Sequence, residues 1–233
     1  MPDLFQDRTE AGQVLAGRLH YFAGRNDVLV LALPRGGVPV AYEVARELRA
    51  PLDVFLVRKL GVPGHEELAM GAIASGGVLV LNEQVLRMLE ISENVVREAA
   101  EQEARELHRR EQIYRGNRPR PEVRGHIVVL IDDGLATGAS MRAAVAAIRQ
   151  EEPAGILIAV PVAPPETVAE LEAEVEQFIC LETPDPFYAV GIYYRHFPQV
   201  TDEEVHDLLE QAAAENTVPA TNDRNGINGT PQS

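Results

Sequence analysis

Val128-Val129-Leu130-Ile131-Asp132-Asp133-Gly134-Leu135-Ala136-Thr137-Gly138-Ala139-Ser140 is the stretch from which the fold is read. Its four leading apolar residues form a strand that needs cover on both faces. Two adjacent carboxylates stand at the C-terminal end of that strand, where open α/β sheets bind ligands. A loop of small residues then runs into a helix. Small side chains let a ligand approach the backbone, and loop N–H groups at a helix N-terminus form an anion cradle. The hydroxyls of Thr137 and Ser140 add donors. Carboxylates for hydroxyls or a hydrated metal, set beside a phosphate cradle, suit a ribose 5-phosphate. A P-loop needs Gly-Lys-Ser/Thr after its glycines and a dinucleotide fingerprint needs Gly-x-Gly-x-x-Gly, and the stretch has neither. A strand–turn–helix whose aspartates merely cap the turn is the alternative left open by the residues alone.

Outward from this stretch the pattern alternates strand and helix. Residues 28–33 are an apolar run ending at Pro34-Arg35-Gly36-Gly37, a buried strand entering a turn. Residues 38–48 carry apolar side chains at helical spacing, and 52–57 form a further strand. Residues 70–73 and 78–81 read as a hairpin around Ser75-Gly76-Gly77. Asn82 can cap a short helix, and 92–114 read as a long amphipathic helix with a wide solvated face. The Arg-rich connector 115–124 reads as a solvated loop. Beyond the motif come a helix over 138–149, a strand over 155–160, and a helix opened by Pro164-Pro165. A last strand over 175–181 precedes a helix over 205–212, behind the capping box Thr201-x-x-Glu204. Such alternation with buried strands predicts an α/β domain around a mostly parallel sheet. The domain is placed at 7–212. The polar stretch 213–233 is expected to stay disordered, because it buries too little to offset its ordering entropy.

Composition narrows the function classes. The 233 residues carry a formal net charge of −15, which argues against nucleic acid as a partner. No apolar run approaches the roughly 20 residues of a bilayer span. The start, MPDLFQDRTE, lacks the basic-then-apolar order of a signal peptide. The expectation is a cytoplasmic protein with no membrane partner. The single cysteine, Cys180, excludes an intrachain disulfide and a cysteine-rich zinc site. Between Phe178-Ile179 and Leu181 it reads as a buried structural thiol. Every Lys or Arg is Arg except Lys59. A compact ammonium at that one position does work that a planar guanidinium does poorly.

Residues 128–140 resemble the ligand-binding motif of the type I phosphoribosyltransferases: an apolar strand, two acidic residues, then a Gly/Ala/Thr-rich phosphate loop. Leu33-Pro34-Arg35-Gly36-Gly37 falls where that family has its pyrophosphate loop. Arg58-Lys59, ahead of the Gly/Pro-containing segment 61–67, falls where it has its mobile catalytic loop. The set is similar to a bacterial subgroup described only as predicted phosphoribosyltransferases. The resemblance implies a mostly parallel sheet flanked by helices with a small hood. It also implies a magnesium-dependent transferase of nucleotide salvage, which moves the 5-phosphoribosyl group of 5-phosphoribosyl-1-pyrophosphate (PRPP) to a nitrogen nucleophile, usually a base. Under it, Asp132 and Asp133 hold the ribose hydroxyls, directly or through Mg²⁺-bound water. Gly134, Ala136, Thr137, Gly138, Ala139 and Ser140 hold the 5-phosphate. Arg35, Gly36 and Gly37 hold pyrophosphate, in a loop that often contains a cis peptide, and Lys59 with Arg58 closes over the leaving group. Phe187 and Tyr188, after the last strand, are the candidates for stacking on a base, with Tyr193, Tyr194 and Phe197 following them; the alternative is that these aromatics fill the core or a dimer contact. Family members are often homodimers. Some keep the fold only as PRPP-binding regulators, so a non-catalytic role is the alternative.

Overall fold

Alternation of inward-facing side chains builds the centre of the molecule. The computed structural model describes residues 5–217. Its main sheet is parallel, with strands β1 (Val28–Ala32), β2 (Leu52–Val54), β6 (Ile127–Ile131), β7 (Gly155–Val162) and β8 (Gln177–Glu182) in the order β2-β1-β6-β7-β8. Strands β1 and β7 are buried at every position, as parallel strands covered on both faces must be. Val28, Val30, Ala32, Val129 and Ile131 point to one face. There they meet α1 (Arg8–Leu19), α2 (Gly37–Leu48) and α7 (Asp202–Thr217). Leu29, Leu31, Val128 and Leu130 point to the other face, against α5 (Ala139–Arg149) and α6 (Pro165–Glu172). Each such fully buried aliphatic side chain contributes about 1.5–3 kcal/mol relative to exposure. The fold class is the expected one, and β1 and β6, the neighbours at its centre, carry the two loops of interest at their C-terminal ends.

A second, three-stranded antiparallel sheet, β3 (Val57–Val62), β4 (His65–Ala74) and β5 (Val78–Leu81), stands beside the first in that order. Here the structure corrects the expectation. The strand expected over 52–57 ends at Val54, and the chain re-enters as β3 (Val57–Val62) of the new sheet, paired with β4 (His65–Ala74). The segment 61–67 is therefore the tip of a hairpin. Val62 pairs with His65 across Pro63-Gly64, and Gly64 has φ 78°, which the third residue of a type II turn needs. The hairpin with β5 (Val78–Leu81) is as expected. Leu60, Val62, Met70 and Ile73 from this sheet pack with Val96, Ala100 and Leu107 of α4 (Glu93–Arg115). Between them lies α3 (Glu83–Met88), whose Val85 N–H is capped by Asn82 Oδ1 at 3.2 Å.

Two further expectations change. The connector 115–124 is only partly a solvated loop: Arg124 is exposed, but three of its other guanidiniums tie elements together. Arg115 is buried, with Nε 2.8 Å from Asp53 Oδ2 on β2. Arg118 donates to the Leu209 carbonyl on α7 at 2.8 Å, and Arg120 to Glu151 at 2.6 Å. The terminal helix also outruns 212. It continues to Thr217, where Glu215 accepts from Tyr42 Oη at 2.9 Å and Asn216 donates to the Ala50 carbonyl at 3.1 Å. Residues 218–233 of the expected tail lie outside the described residues. At the other end, Phe5 and Gln6 belong to the fold. The Phe5 N–H donates to the Tyr193 carbonyl at 2.9 Å, and the Arg195 and His196 N–H groups donate back to Phe5 and Gln6. Among the described residues no helix is long and apolar enough to cross a membrane.

Candidate functional site

Strand β6 delivers Asp132 and Asp133 to the edge of the sheet. Both are partly buried, and the Asp133 N–H donates to Asp132 Oδ1 at 2.9 Å. Burial, reinforced by the neighbouring Asp133 charge, pushes the Asp132 carboxyl well above the usual carboxylate range. Burial raises Asp133 as well, against the pull of Arg8. Two carboxylates in a poorly solvated corner favour whatever compensates them: a hydrated cation, hydroxyl donors, or a shared proton.

The loop after β1 is pressed onto this pair. The Leu33 N–H donates to the Ile131 carbonyl at 2.8 Å, and the Pro34–Arg35 peptide is cis. A Cβ on Gly36 would sit 2.1 Å from Asp133 Oδ2. One on Gly37 would sit 2.7 Å from the Ile131 carbonyl oxygen and 2.9 Å from Asp132 Cα. The two glycines are thus fixed by contact with the two aspartates. Arg35 reaches Asp202 at the start of α7, Nη1 to Oδ1 3.5 Å.

The loop after β6 is anchored from the far side. The Leu135 N–H donates to the Val162 carbonyl at 2.9 Å, and Thr167 Oγ1 donates to the Ala136 carbonyl at 2.7 Å. Gly134 admits no side chain, since a Cβ would lie 2.6 Å from Val190 and 2.8 Å from Val162. Gly138, the N-cap of α5, has φ 67° and would bring a Cβ within 2.8 Å of Thr167. Ala139 and Ser140 form the first turn of α5, where N–H groups have no intrahelical acceptor. Strand-end carboxylates, a glycine loop and a helix N-terminus therefore converge on one corner.

Residues 8–194 match the family model described as "Phosphoribosyl transferase domain". The chain belongs to the phosphoribosyltransferase family. The crystal structure of TT1426 from Thermus thermophilus has a TM-score of 0.80 and 46% identity, over 89% of this chain and 98% of that one. A Mycobacterium tuberculosis protein named "Putative phosphoribosyl transferase Rv0571c" is 46% identical over 209 residues, 90% of this chain and 47% of that protein. The chain thus spans about half the length of the curated relatives it matches.

Beside the phosphoribosyltransferase motif loops, the remaining candidates separate. Lys59 on β3 lines a cavity of about 700 Å³ together with Ala139 and Ser140, which brings it to the first turn of α5. Arg58, on the opposite face of the same strand, turns away and pairs with Glu103 of α4, Nε to Oε2 2.7 Å. Phe187 stacks on Tyr193, centroids 5.5 Å apart, and packs with Val162 and Val190. Tyr188 is 76% exposed. A further cavity of about 820 Å³ lies elsewhere, between β5, α3 and α4, and is lined by apolar residues such as Leu79, Leu86 and Val96 together with charged ones such as Arg97 and Glu101.

Of the residues at the corner, Arg8 was missed in the sequence, and Tyr194 and Phe197 were noted only as aromatics following the last strand. Arg8 Nε donates to Asp133 Oδ2 at 2.8 Å, and its guanidinium lies over Phe197, 3.8 Å from the ring centroid. Tyr194 Oη donates to the Asp133 carbonyl at 2.6 Å. Burial and the nearby Asp133 push the Tyr194 phenol far above its ordinary range. The available signal was weak: an Arg directly after the N-cap Asp7, and a Tyr-Tyr pair following the last strand.

The Asp132/Asp133 pair is also the natural place for a cation. Among the described residues no cluster of three or more His, Cys, Asp or Glu is arranged to hold a metal. A cation here must take most of its ligands from water and from a bound phosphate. Mg²⁺ has that habit, and the Asp132 carboxyl, whose charge burial and Asp133 disfavour, is a group that a nearby cation would stabilise.

Proposed function

We propose that this chain is a magnesium-dependent phosphoribosyltransferase that moves the 5-phosphoribosyl group of PRPP to a nitrogen nucleophile, a nucleobase in the simplest case. One observation carries the reading: Gly36 and Gly37 lie in contact with Asp133 and Asp132, so that an anion on the first loop adjoins a sugar held at the second. The 5-phosphate rests on the N–H groups of residues 136–140 and the hydroxyls of Thr137 and Ser140. Asp132 and Asp133 take the ribose hydroxyls, and are the side chains that hold Mg²⁺ through its water. Bound there, Mg²⁺ supplies charge neutralisation for the pyrophosphate oxygens.

In the reaction the bond from C1 to the pyrophosphate oxygen breaks and a bond from C1 to nitrogen forms. The electron pair leaves with pyrophosphate, and the proton of the nucleophile passes to solvent. No covalent protein nucleophile is required. Arg35 and Lys59 stabilise charge developing on the leaving group. The β3–β4 hairpin, which carries Lys59, lowers over the site to exclude water.

The test is pyrophosphate release from Mg-PRPP across a panel of purine and pyrimidine bases, with Asp132→Asn/Asp133→Asn as control. Release that requires one base and both aspartates is expected. Full release by the double variant removes these carboxylates from the mechanism. Tight Mg-dependent PRPP binding without release from any base turns the reading to a PRPP sensor. Lys59→Ala should lower turnover more than ground-state PRPP binding, and equal losses would argue against a lid role.

A further inference from the structure

Arg35, on the loop after β1, lines two cavities. One, of about 510 Å³, also takes in Gly36 and Asp133 of the candidate site. The other, of about 500 Å³, is bounded by Ile113 of α4 and by Asp202, Glu203, His206 and Asp207 of α7. The α7 side is thus acidic, a neighbour that simple charge counting disfavours for a loop holding pyrophosphate.

Asp202 does not cap α7. Thr201 does that, its Oγ1 accepting from the Glu204 N–H at 3.1 Å. Asp202 Oδ1 accepts instead from Tyr114 Oη of α4 at 2.8 Å. The Tyr114 ring is buried and so held by its packing. Burial, with the bond to Asp202, pushes its phenol up to about 12, which keeps the donor proton in place at neutral pH. Arg35 Nη1 lies 3.5 Å from the same Oδ1. That is beyond the roughly 2.7–3.2 Å of an N–H···O hydrogen bond. Asp202 therefore attracts the guanidinium without taking up its donors, which stay available to an anion. Both groups are partly exposed, and such an ion pair adds little to stability. What it can set is where Arg35 stands. The same helix reaches the other cationic arm, since Glu103 of α4 pairs with Arg58, next to Lys59 on β3.

We propose that Asp202, held by Tyr114, is a positioning residue for Arg35, and that it sets the guanidinium beside Gly36 and Gly37 to receive the pyrophosphate group of the substrate. The proposal rests on the transferase reading given above, which puts pyrophosphate on this loop. It reverses the sign expected from charge alone: an acid near an anion site tightens binding here, because it acts through Arg35.

The experiment is titration calorimetry of Mg-PRPP on the full chain, with thermal melts to check folding. Ribose 5-phosphate, which lacks the pyrophosphate, is titrated beside it. The variants are Asp202→Asn, Arg35→Ala, the two combined, and Tyr114→Phe alone and with Arg35→Ala. Glu203→Gln, in the same turn of α7 and the same cavity, is the charge control. Asp202→Asn is expected to weaken Mg-PRPP binding by about tenfold and to add nothing once Arg35 is alanine. Ribose 5-phosphate affinity should not move. Glu203→Gln should leave Mg-PRPP affinity unchanged or slightly raised. Tighter Mg-PRPP binding by Asp202→Asn overturns the proposal, since the acid then only repels the anion or draws Arg35 away. So does an equal loss with Arg35 present and absent, an equal loss for ribose 5-phosphate or in Glu203→Gln, or a fall in Tm with affinity unchanged. If Asp202→Asn does not fold, Tyr114→Phe, which removes one hydroxyl, decides by the same cycle with Arg35→Ala. A wild type that binds no Mg-PRPP overturns the proposal and the transferase reading together. The expected pattern in a protein that releases no pyrophosphate with any base removes only the transferase reading, and leaves Asp202 positioning Arg35 in a PRPP site.

Discussion

Gly36→Ala perturbs the candidate site through a single methyl. Gly36 has φ −59°, so alanine meets no backbone obstacle there. The added Cβ lies 2.1 Å from Asp133 Oδ2 and 2.6 Å from Asp133 Cγ, whereas ordinary contact begins near 3.4 Å. The carboxylate must therefore retreat by about 1.3 Å, a displacement of the size that costs about 10²-fold in rate when a catalytic group moves. Retreat also lengthens the 2.8 Å pair with Arg8. Overpacking of this kind destabilises by about 1–3 kcal/mol, and each kcal/mol lowers Tm by about 2–4 °C in a domain of this size. Circular dichroism melts and the pyrophosphate-release assay, beside Mg-PRPP titration, read the two effects separately. A folded variant with a modest drop in Tm and turnover down by about 10²-fold is expected. Gly17→Ala is the control. Nothing lies within 4 Å of its Cβ position on α1, so it should raise stability by about 0.5–1 kcal/mol and leave turnover alone. Wild-type turnover and affinity in a destabilised Gly36→Ala would refute the reasoning, leaving the contact with Asp133 as packing only.

Arg115→Ala strands the buried Asp53 and should cost about 3–5 kcal/mol at neutral pH by urea denaturation. Asp53 already sits above the usual carboxylate range, because burial outweighs the pull of Arg115. A raised folded-state value means that the folded protein holds the proton more tightly, so stability falls as pH rises through it. The deficit of the variant should shrink from about pH 8 toward about pH 5, and an unchanged deficit would speak against a stranded carboxylate. Gly138→Ala forces a side chain into φ 67°, 2.8 Å from Thr167. It should lose about 1–2 kcal/mol for the left-handed backbone alone and weaken Mg-PRPP binding in calorimetry; unaltered affinity would remove this loop from the phosphate site. The Cys180 thiol is pushed up to about 12 by burial. Its reaction with a disulfide reagent near neutral pH should be slow in the folded protein and fast in denaturant, and equal rates would contradict the burial.

What the sequence disclosed follows from how far apart the interacting residues stand. Asp132, Asp133 and the loop to Ser140 are contiguous, and a strand end, a small-residue loop and a helix start leave a local pattern. The same holds for Pro34-Arg35-Gly36-Gly37. Strand β3 left none: Val57-Arg58-Lys59-Leu60-Gly61-Val62 has no clean alternation, and it is a strand because β4 pairs with it. Arg115 read as solvated because its partner Asp53 lies 62 positions away. Arg8 was invisible for the same reason, with Asp133 125 positions distant. Phe187 and Tyr188 drew notice as aromatics after the last strand. The rings at the aspartate are instead Tyr194, whose Oη donates to the Asp133 carbonyl, and Phe197, which lies under the guanidinium of Arg8.

The pairing of residues 5–6 with residues 193–196 has a practical side. It sets the two ends of the matched domain side by side, next in sequence to Arg8 and Phe197, which line one cavity. These ends form one exchangeable cassette: 5–8 and 190–200 can be swapped together between homologues while the strand-end loops stay untouched. Swapping either half alone mismatches the backbone pairing.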